Sequence, residues 1–412
     1  MTALCPAPTP AHPTVWREIG DPLLPATGTG PLTGMSVAVK DLFALGGFRV
    51  GAGNEEWLAQ SSAETTTAPA AAALLAAGAE VAGIARTDEF AYSLAGTNAH
   101  YGTPPNPNAP GRISGGSSSG SASAVALGQA TIGLGTDTGG SIRVPSAYQG
   151  LFGIRTTHGA VSTEGLLPLA PSFDTVGWMT RDAATLAAVG SVLLPQHQPA
   201  APLTGAVFAP GTLTLAEPDV VLAVENSLDI WAGTAVLPAL DWAGLRTSEL
   251  PAWLAAFQTV QGFEAWQQHG PWIRRHWSAL GADVAARFRT ASLIERHQTE
   301  AARDALRAAR QHIRSVVGGG VLVLPSASSV APQLAEAALG GQAIERVRRS
   351  TMQLTCIAGI AGLPAVNVPL STDAGLPCGL SIVGPANRDA ELITLAIRLS
   401  ESLIPRRKTS HA

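Results

Sequence analysis

The run Gly135-Thr136-Asp137-Thr138-Gly139-Gly140-Ser141-Ile142-Arg143 constrains this chain more than any other segment. It follows Ile132–Leu134, which reads as an extended apolar stretch. Gly139 and Gly140 lack a Cβ and can take φ > 0, turning successive N–H groups toward one point. A serine at the end of such a turn holds its hydroxyl beside an anion-binding pocket. Acyl transfer needs that geometry: a nucleophile next to donors aimed at a developing oxyanion. Upstream lie a second Ser/Gly cluster, Gly115-Gly116-Ser117-Ser118-Ser119-Gly120-Ser121, and an apolar strand ending in lysine, Val37-Ala38-Val39-Lys40-Asp41. Lys40, Ser117 and Ser141 form a candidate catalytic set, and the chain reads as an enzyme.

Each residue alone also has an ordinary structural reading. A strand-end lysine usually keeps its head group in water, a Gly/Ser run usually links domains, and a serine often caps a Gly-rich turn. A linker fits poorly here, because apolar helix and strand patterns resume directly after Ser121. The fully apolar strand before Lys40 favours its burial, which disfavours the charged form and lowers its pKa. A neutral lysine can take a proton from Ser117 while Ser117 takes one from Ser141. The N–H groups of Thr138, Gly139, Gly140 and Ser141 are the expected oxyanion donors. Asp137 and Arg143 flank the turn and are expected to pair across it. Gly116–Gly120 also satisfies G-x-S-x-G, the nucleophile elbow of α/β-hydrolases. That elbow needs a strand entering it, and Asn106-Pro107-Asn108-Ala109-Pro110-Gly111 cannot be a buried strand.

These segments together resemble the amidase signature family. The likeness rests on Lys40, on Ser117 and Ser141 standing 24 positions apart, and on several further runs. Those runs are Thr87-Asp88-Glu89-Phe90-Ala91, Tyr101-Gly102-Thr103-Pro104 and Gly153-Ile154-Arg155-Thr156-Thr157-His158-Gly159. Gly362-Leu363-Pro364-Ala365 and Gly375-Leu376-Pro377-Cys378-Gly379-Leu380 extend it toward the C-terminus. Within the family the chain is similar to plant-type indole-3-acetamide hydrolases, through segments around His100, His158 and Trp178. The resemblance implies a Ser-Ser-Lys triad, an acyl-enzyme, a cis peptide at Ser117, and hydrolysis of a small primary amide to carboxylate and ammonia. Indole-3-acetamide is the first substrate it suggests. The alternatives are a carboxylated urea or biuret-type amide hydrolase, the ammonia-releasing subunit of a tRNA-dependent amidotransferase, and a non-catalytic docking module. Two positions depart from the commoner pattern: Ser119, where many members have glycine, and Gln149, where many have cysteine.

The alternation of strands and helices predicts an α/β fold, a single large domain whose mixed sheet is covered by helices on both faces. Residues 1–33, rich in proline, read as an extended lead-in, and 34–405 as the amidase signature domain. Within it, 34–190 is the expected catalytic core, and 195–317 a variable loop and helical segment shaping the pocket. Residues 318–405 are expected to supply late strands that rejoin the sheet. Five tryptophans between 242 and 277 are expected mostly in the core, with an aromatic pocket over the active site as the sharper reading. Arg303, Arg307, Arg310 and Arg314 make one basic helix face, expected to be solvated and paired.

Of the 412 residues 46% are hydrophobic and 14% charged, with a net charge of −4 and no block of like charges, so neither nucleic acid nor a membrane surface is an expected partner. A small-molecule amide is; a homodimer is allowed. Cys5, Cys356 and Cys378 offer no disulfide framework or CxxC pair. No histidine cluster suggests a metal, no cofactor is expected, and without a signal-like leader the expected compartment is the cytoplasm.

Overall fold

Short apolar runs bounded by glycine and proline become strands in the computed structural model, which describes residues 12–195, 202–203, 205–338 and 341–403. The first strands are β1 (Trp16–Leu24), β2 (Ser36–Lys40), β3 (Glu80–Ala85), β4 (Ile132–Thr136), β5 (Phe152–Arg155) and β6 (Val176–Thr180). They are followed by β7 (Ala206–Phe208), β8 (Leu240–Trp242), β9 (Val321–Pro325), β10 (Ala365–Ser371) and β11 (Pro377–Val383). All belong to one mixed sheet of order β1-β3-β2-β4-β6-β5-β10-β11-β9-β7-β8. The late strands do rejoin it, with β10 antiparallel to β5 and β11 antiparallel to both β10 and β9.

Side-chain alternation along a strand sends successive residues to opposite faces. Along β9, Leu322 and Leu324 enter one core while Val321 and Val323 enter the other. Helices cover both faces. On the first lie α7 (Leu250–Ile273), α8 (Ala282–Ser292), α9 (Arg296–Val317) and α10 (Gln342–Ala361). The second carries α2 (Pro69–Ala76), α5 (Ala183–Leu193), α6 (Pro218–Ala232) and α11 (Asp389–Leu403). Three short helices, α1 (Glu55–Gln60), α3 (Ser119–Ala126) and α4 (Arg143–Gln149), complete the set. α2 begins on Pro69 and is followed by Gly78 at φ +99°, the asymmetry its sequence suggested. Among the described residues no helix is long and apolar enough to cross a membrane.

Three expectations are corrected. Residues 1–33 are more than a lead-in: beyond the undescribed first eleven, β1 pairs with β3 from Trp16↔Ala85 to Leu24↔Val81 and buries Val15 and Trp16. The segment 195–317 is not one pocket-shaping insert, since β7, β8 and α6 prolong the sheet and α7–α9 build a core layer. The arginine face of α9 is solvated and paired only in part: Arg303 and Arg307 are exposed and pair with Glu264 and Asp304, whereas the other two reach backbone. Arg310 Nε donates to Ile360 O at 2.8 Å and Arg314 Nε to Ala361 O at 2.9 Å. They satisfy carbonyls that the C-terminus of α10 leaves without intrahelical partners.

Candidate active site

The turn from β4 into α4 is held by one buried carboxylate. Asp137 accepts from Gly140 N–H at 2.9 Å and Ile142 N–H at 3.2 Å, so its side chain closes the turn. Arg143 grips it with Nε at 3.0 Å and a terminal nitrogen at 2.8 Å, and Arg155 adds a third contact at 3.1 Å. Arg155 also donates to the Asp137 carbonyl. The two guanidinium groups hold the Asp137 carboxyl well below the usual carboxylate range despite its burial. Thr355 Oγ1 on α10 donates to Gly139 O at 2.6 Å, fixing the glycine pair from the other side.

Lys40, at the end of β2, is fully buried. Its Nζ donates to Ser117 Oγ at 2.9 Å and to Thr136 Oγ1 at 2.8 Å. Burial lowers its pKa to about 7, and Asp88, Asp174 and Asp137 push back against that shift without cancelling it. The Gly116–Ser117 peptide is cis. The Ser117 carbonyl is pinned by Thr87 Oγ1 at 2.8 Å and Asp88 N–H at 3.2 Å.

Ser141 is buried, and its carbonyl accepts from Ser118 N–H at 3.3 Å, which places the two serine segments side by side. Among the described residues Ser141 Oγ has no hydrogen-bond partner, so the structure forms the Lys40–Ser117 link and not a Ser117–Ser141 link. Gly140, expected among the oxyanion donors, has its N–H committed to Asp137. The N–H groups of Thr138, Gly139 and Ser141 carry no hydrogen bond to the described residues and remain open. No strand enters Gly116–Gly120, so the elbow arrangement is absent there.

Ser141 opens on a cavity of about 240 Å³. Its walls include Tyr92, Leu94, Leu169 and Met352, with Gln261 and Arg348 as polar groups. From the segment 195–317 only Gln261 reaches it; the rest comes from the early core and α10. None of Trp242, Trp253, Trp266, Trp272 and Trp277 lines it. Trp242 is 71% exposed, Trp266 stacks on Trp277, and Trp272 packs edge-on against Trp57. His100, His158 and Trp178 also lie off the cavity: His100 bonds Glu89 at 2.9 Å, and the Trp178 indole N–H donates to Leu186 O. Gln149 donates to Ser114 O at 2.9 Å beneath the Ser117 segment and does not line the cavity either. Sequence reasoning assigned no role to Thr136, Asp174, Arg155 or Arg348. Thr136, Arg155 and Asp174 stood within runs already singled out without a role of their own, and Arg348 carries no local signal. Among the described residues no three His, Cys, Asp or Glu side chains converge to hold a metal ion.

A family model described as Amidase matches residues 20–207 and 266–393, well over half of the chain. The chain belongs to the amidase family. "Amidase 1" of Arabidopsis thaliana is 37% identical over 91% of this chain and 95% of its own length. A "2-amino-5-chloromuconic acid deaminase" of Comamonas testosteroni is 33% identical over 91% of this chain and 82% of its own. A solved amidase structure superposes with a TM-score of 0.79 at 28% identity, covering 90% of this chain and 85% of that one. This is an amide hydrolase with the amidase signature fold. The unmatched interval, 208–265, is narrower than the variable segment expected from sequence and holds α6, β8 and the first two thirds of α7.

Proposed function

We propose that the chain hydrolyses the C–N bond of a small primary amide through Lys40, Ser117 and Ser141. One observation carries this reading: a fully buried lysine, lowered to about 7, lies 2.9 Å from the hydroxyl of Ser117. A neutral amine there donates one N–H to Thr136 Oγ1 and turns its lone pair toward Ser117. Ser117 then gives its proton to Lys40 and takes one from Ser141, whose oxygen attacks the amide carbon. The carbonyl oxygen, now negative, meets the open N–H groups of Thr138, Gly139 and Ser141. The same relay protonates the leaving nitrogen. Ammonia departs, and water attacks the acyl-Ser141 ester to release the carboxylate and restore the hydroxyl.

The apolar walls suit a short hydrocarbon acyl segment. The cavity at Ser141 is small, which favours a short acyl group over the bicyclic indole of indole-3-acetamide, the first substrate suggested by the sequence. A carboxylated amide is favoured by the arginine in the cavity wall and by the similarity to a deaminase named for a carboxylic acid. Ser141→Ala tests the mechanism. It should abolish ammonia release and labelling by a fluorophosphonate probe while leaving the thermal midpoint within a few degrees. Full activity in that variant, or labelling at Ser118, would overturn the assignment.

A further inference from the structure

Arg348 is the cation the cavity presents to its contents. It lies on the second turn of α10, its side chain 15% exposed, and lines the same cavity as Ser141. Its Nε is buried without a hydrogen-bond partner. The ion-pair partner it has is Glu345, whose Oε2 stands 3.3 Å from one terminal nitrogen. That carboxylate is shared, since its Oε1 is 2.9 Å from Arg287. Arg287 is further engaged by Asp283 at 2.9 Å and the Tyr92 carbonyl at 3.0 Å. The neighbouring arginine is therefore saturated, while Arg348 is not. No carboxylate lines the cavity, and the Tyr92 phenol there is kept neutral by burial.

A guanidinium offers its donors as a planar fork matched to a carboxylate, and a buried donor left unpaired is costly. A second small cavity, of about 250 Å³, shares Arg348 and Leu94 with the first. Arg348 thus stands where a short chain anchored at Ser141 would end. We infer that Arg348 receives a carboxylate of the substrate, so that the amide hydrolysed is the monoamide of a short dicarboxylic acid. This rests on the hydrolytic reading above and departs from indole-3-acetamide, the substrate that the family resemblance first suggested.

Binding separates this proposal from the hydrolytic one. In a Ser141→Ala background, calorimetry with malonamate and succinamate is compared with butyramide and indole-3-acetamide. The carboxylated amides should bind at least 10-fold tighter than the uncharged ones. Arg348→Met should weaken them on the order of 10²-fold and leave butyramide unchanged, as expected for loss of a charged hydrogen-bond pair. Arg348→Lys should keep part of the preference. Equal binding of charged and uncharged amides, or carboxylate binding untouched by Arg348→Met, overturns the inference. If the methionine variant fails to fold, the ligand ranking of the Ser141→Ala protein and the lysine variant still decide it. Carboxylate binding that depends on Arg348, in a protein that hydrolyses none of these amides, would spare this inference and sink the catalytic reading.

Discussion

In the proposed mechanism Lys40 can serve as a base because burial overrides three nearby carboxylates. The sign of the pH dependence follows. The unprotonated amine is the active form, so kcat/KM should fall as pH drops below about 7, with one ionisation in the free enzyme. Lys40→Arg should lose at least the ~10²–10⁴-fold typical of an acid–base group, since arginine stays charged. An acid limb unchanged in position, or an active arginine variant, would show that Lys40 is not the base. Asp137 is the opposite case, a carboxylate kept charged by Arg143 and Arg155. Its folded pKa is depressed, so its contribution to stability is full above the ordinary carboxylate range and is lost as pH falls through the folded value. Asp137→Asn leaves two buried guanidinium groups without their counter-ion and should cost about 3–5 kcal/mol in denaturant unfolding at pH 7. A loss below about 1 kcal/mol would mean the pair does not hold the turn.

Between β4 and α4 the chain reverses over Gly139 and Gly140, and Gly140 sits at φ +126°. A Cβ at Gly140 would stand 3.0 Å from the Thr355 side chain, the residue whose hydroxyl fixes the Gly139 carbonyl. Gly140→Ala should therefore shift the turn relative to α10 and lower kcat/KM at least 10-fold, because displacements of about 1 Å at a reacting centre cost up to ~10²-fold. Chemical-shift or crystallographic comparison would locate the shift at Thr138–Ser141. Unaltered kinetics would show that α10 yields to the extra methyl and does not govern the turn.

Across the whole molecule, the sheet couples the first residues to the site. β1 covers the edge of β3, which pairs with β2, the strand carrying Lys40. Arg17 on β1 contacts Asp41 at 2.9 Å, directly after Lys40. Removing residues 1–24 would take β1 from the eleven-stranded sheet, bare β3 as its edge and expose the apolar surface that Val15 and Trp16 cover. The truncated chain should aggregate or elute as large species in size-exclusion chromatography and lose activity. A monomeric, fully active truncation would restore the view of this segment as a dispensable lead-in.

Local demands were legible in the amino-acid sequence. A buried strand is apolar, a turn at positive φ favours glycine, and a helix start tolerates proline, so β2, β4, α2 and the Ser117 and Ser141 segments declare themselves within a few residues. The chemistry proposed for Lys40, Ser117 and Ser141 was suggested by those local signals taken together. Tertiary structure alone decided which distant groups meet. Arg155 on Asp137, Thr136 against Lys40, and the withdrawal of the tryptophans from the cavity depend on sheet order and helix packing, which impose no pattern on neighbouring positions. Arg348 shows why. Arg346 and Arg349 stand beside it on α10 and are exposed, whereas Arg348 turns inward. Three arginines in four positions look alike in sequence, and the rotation of one helix against the sheet determines which of them lines the cavity that Ser141 also lines.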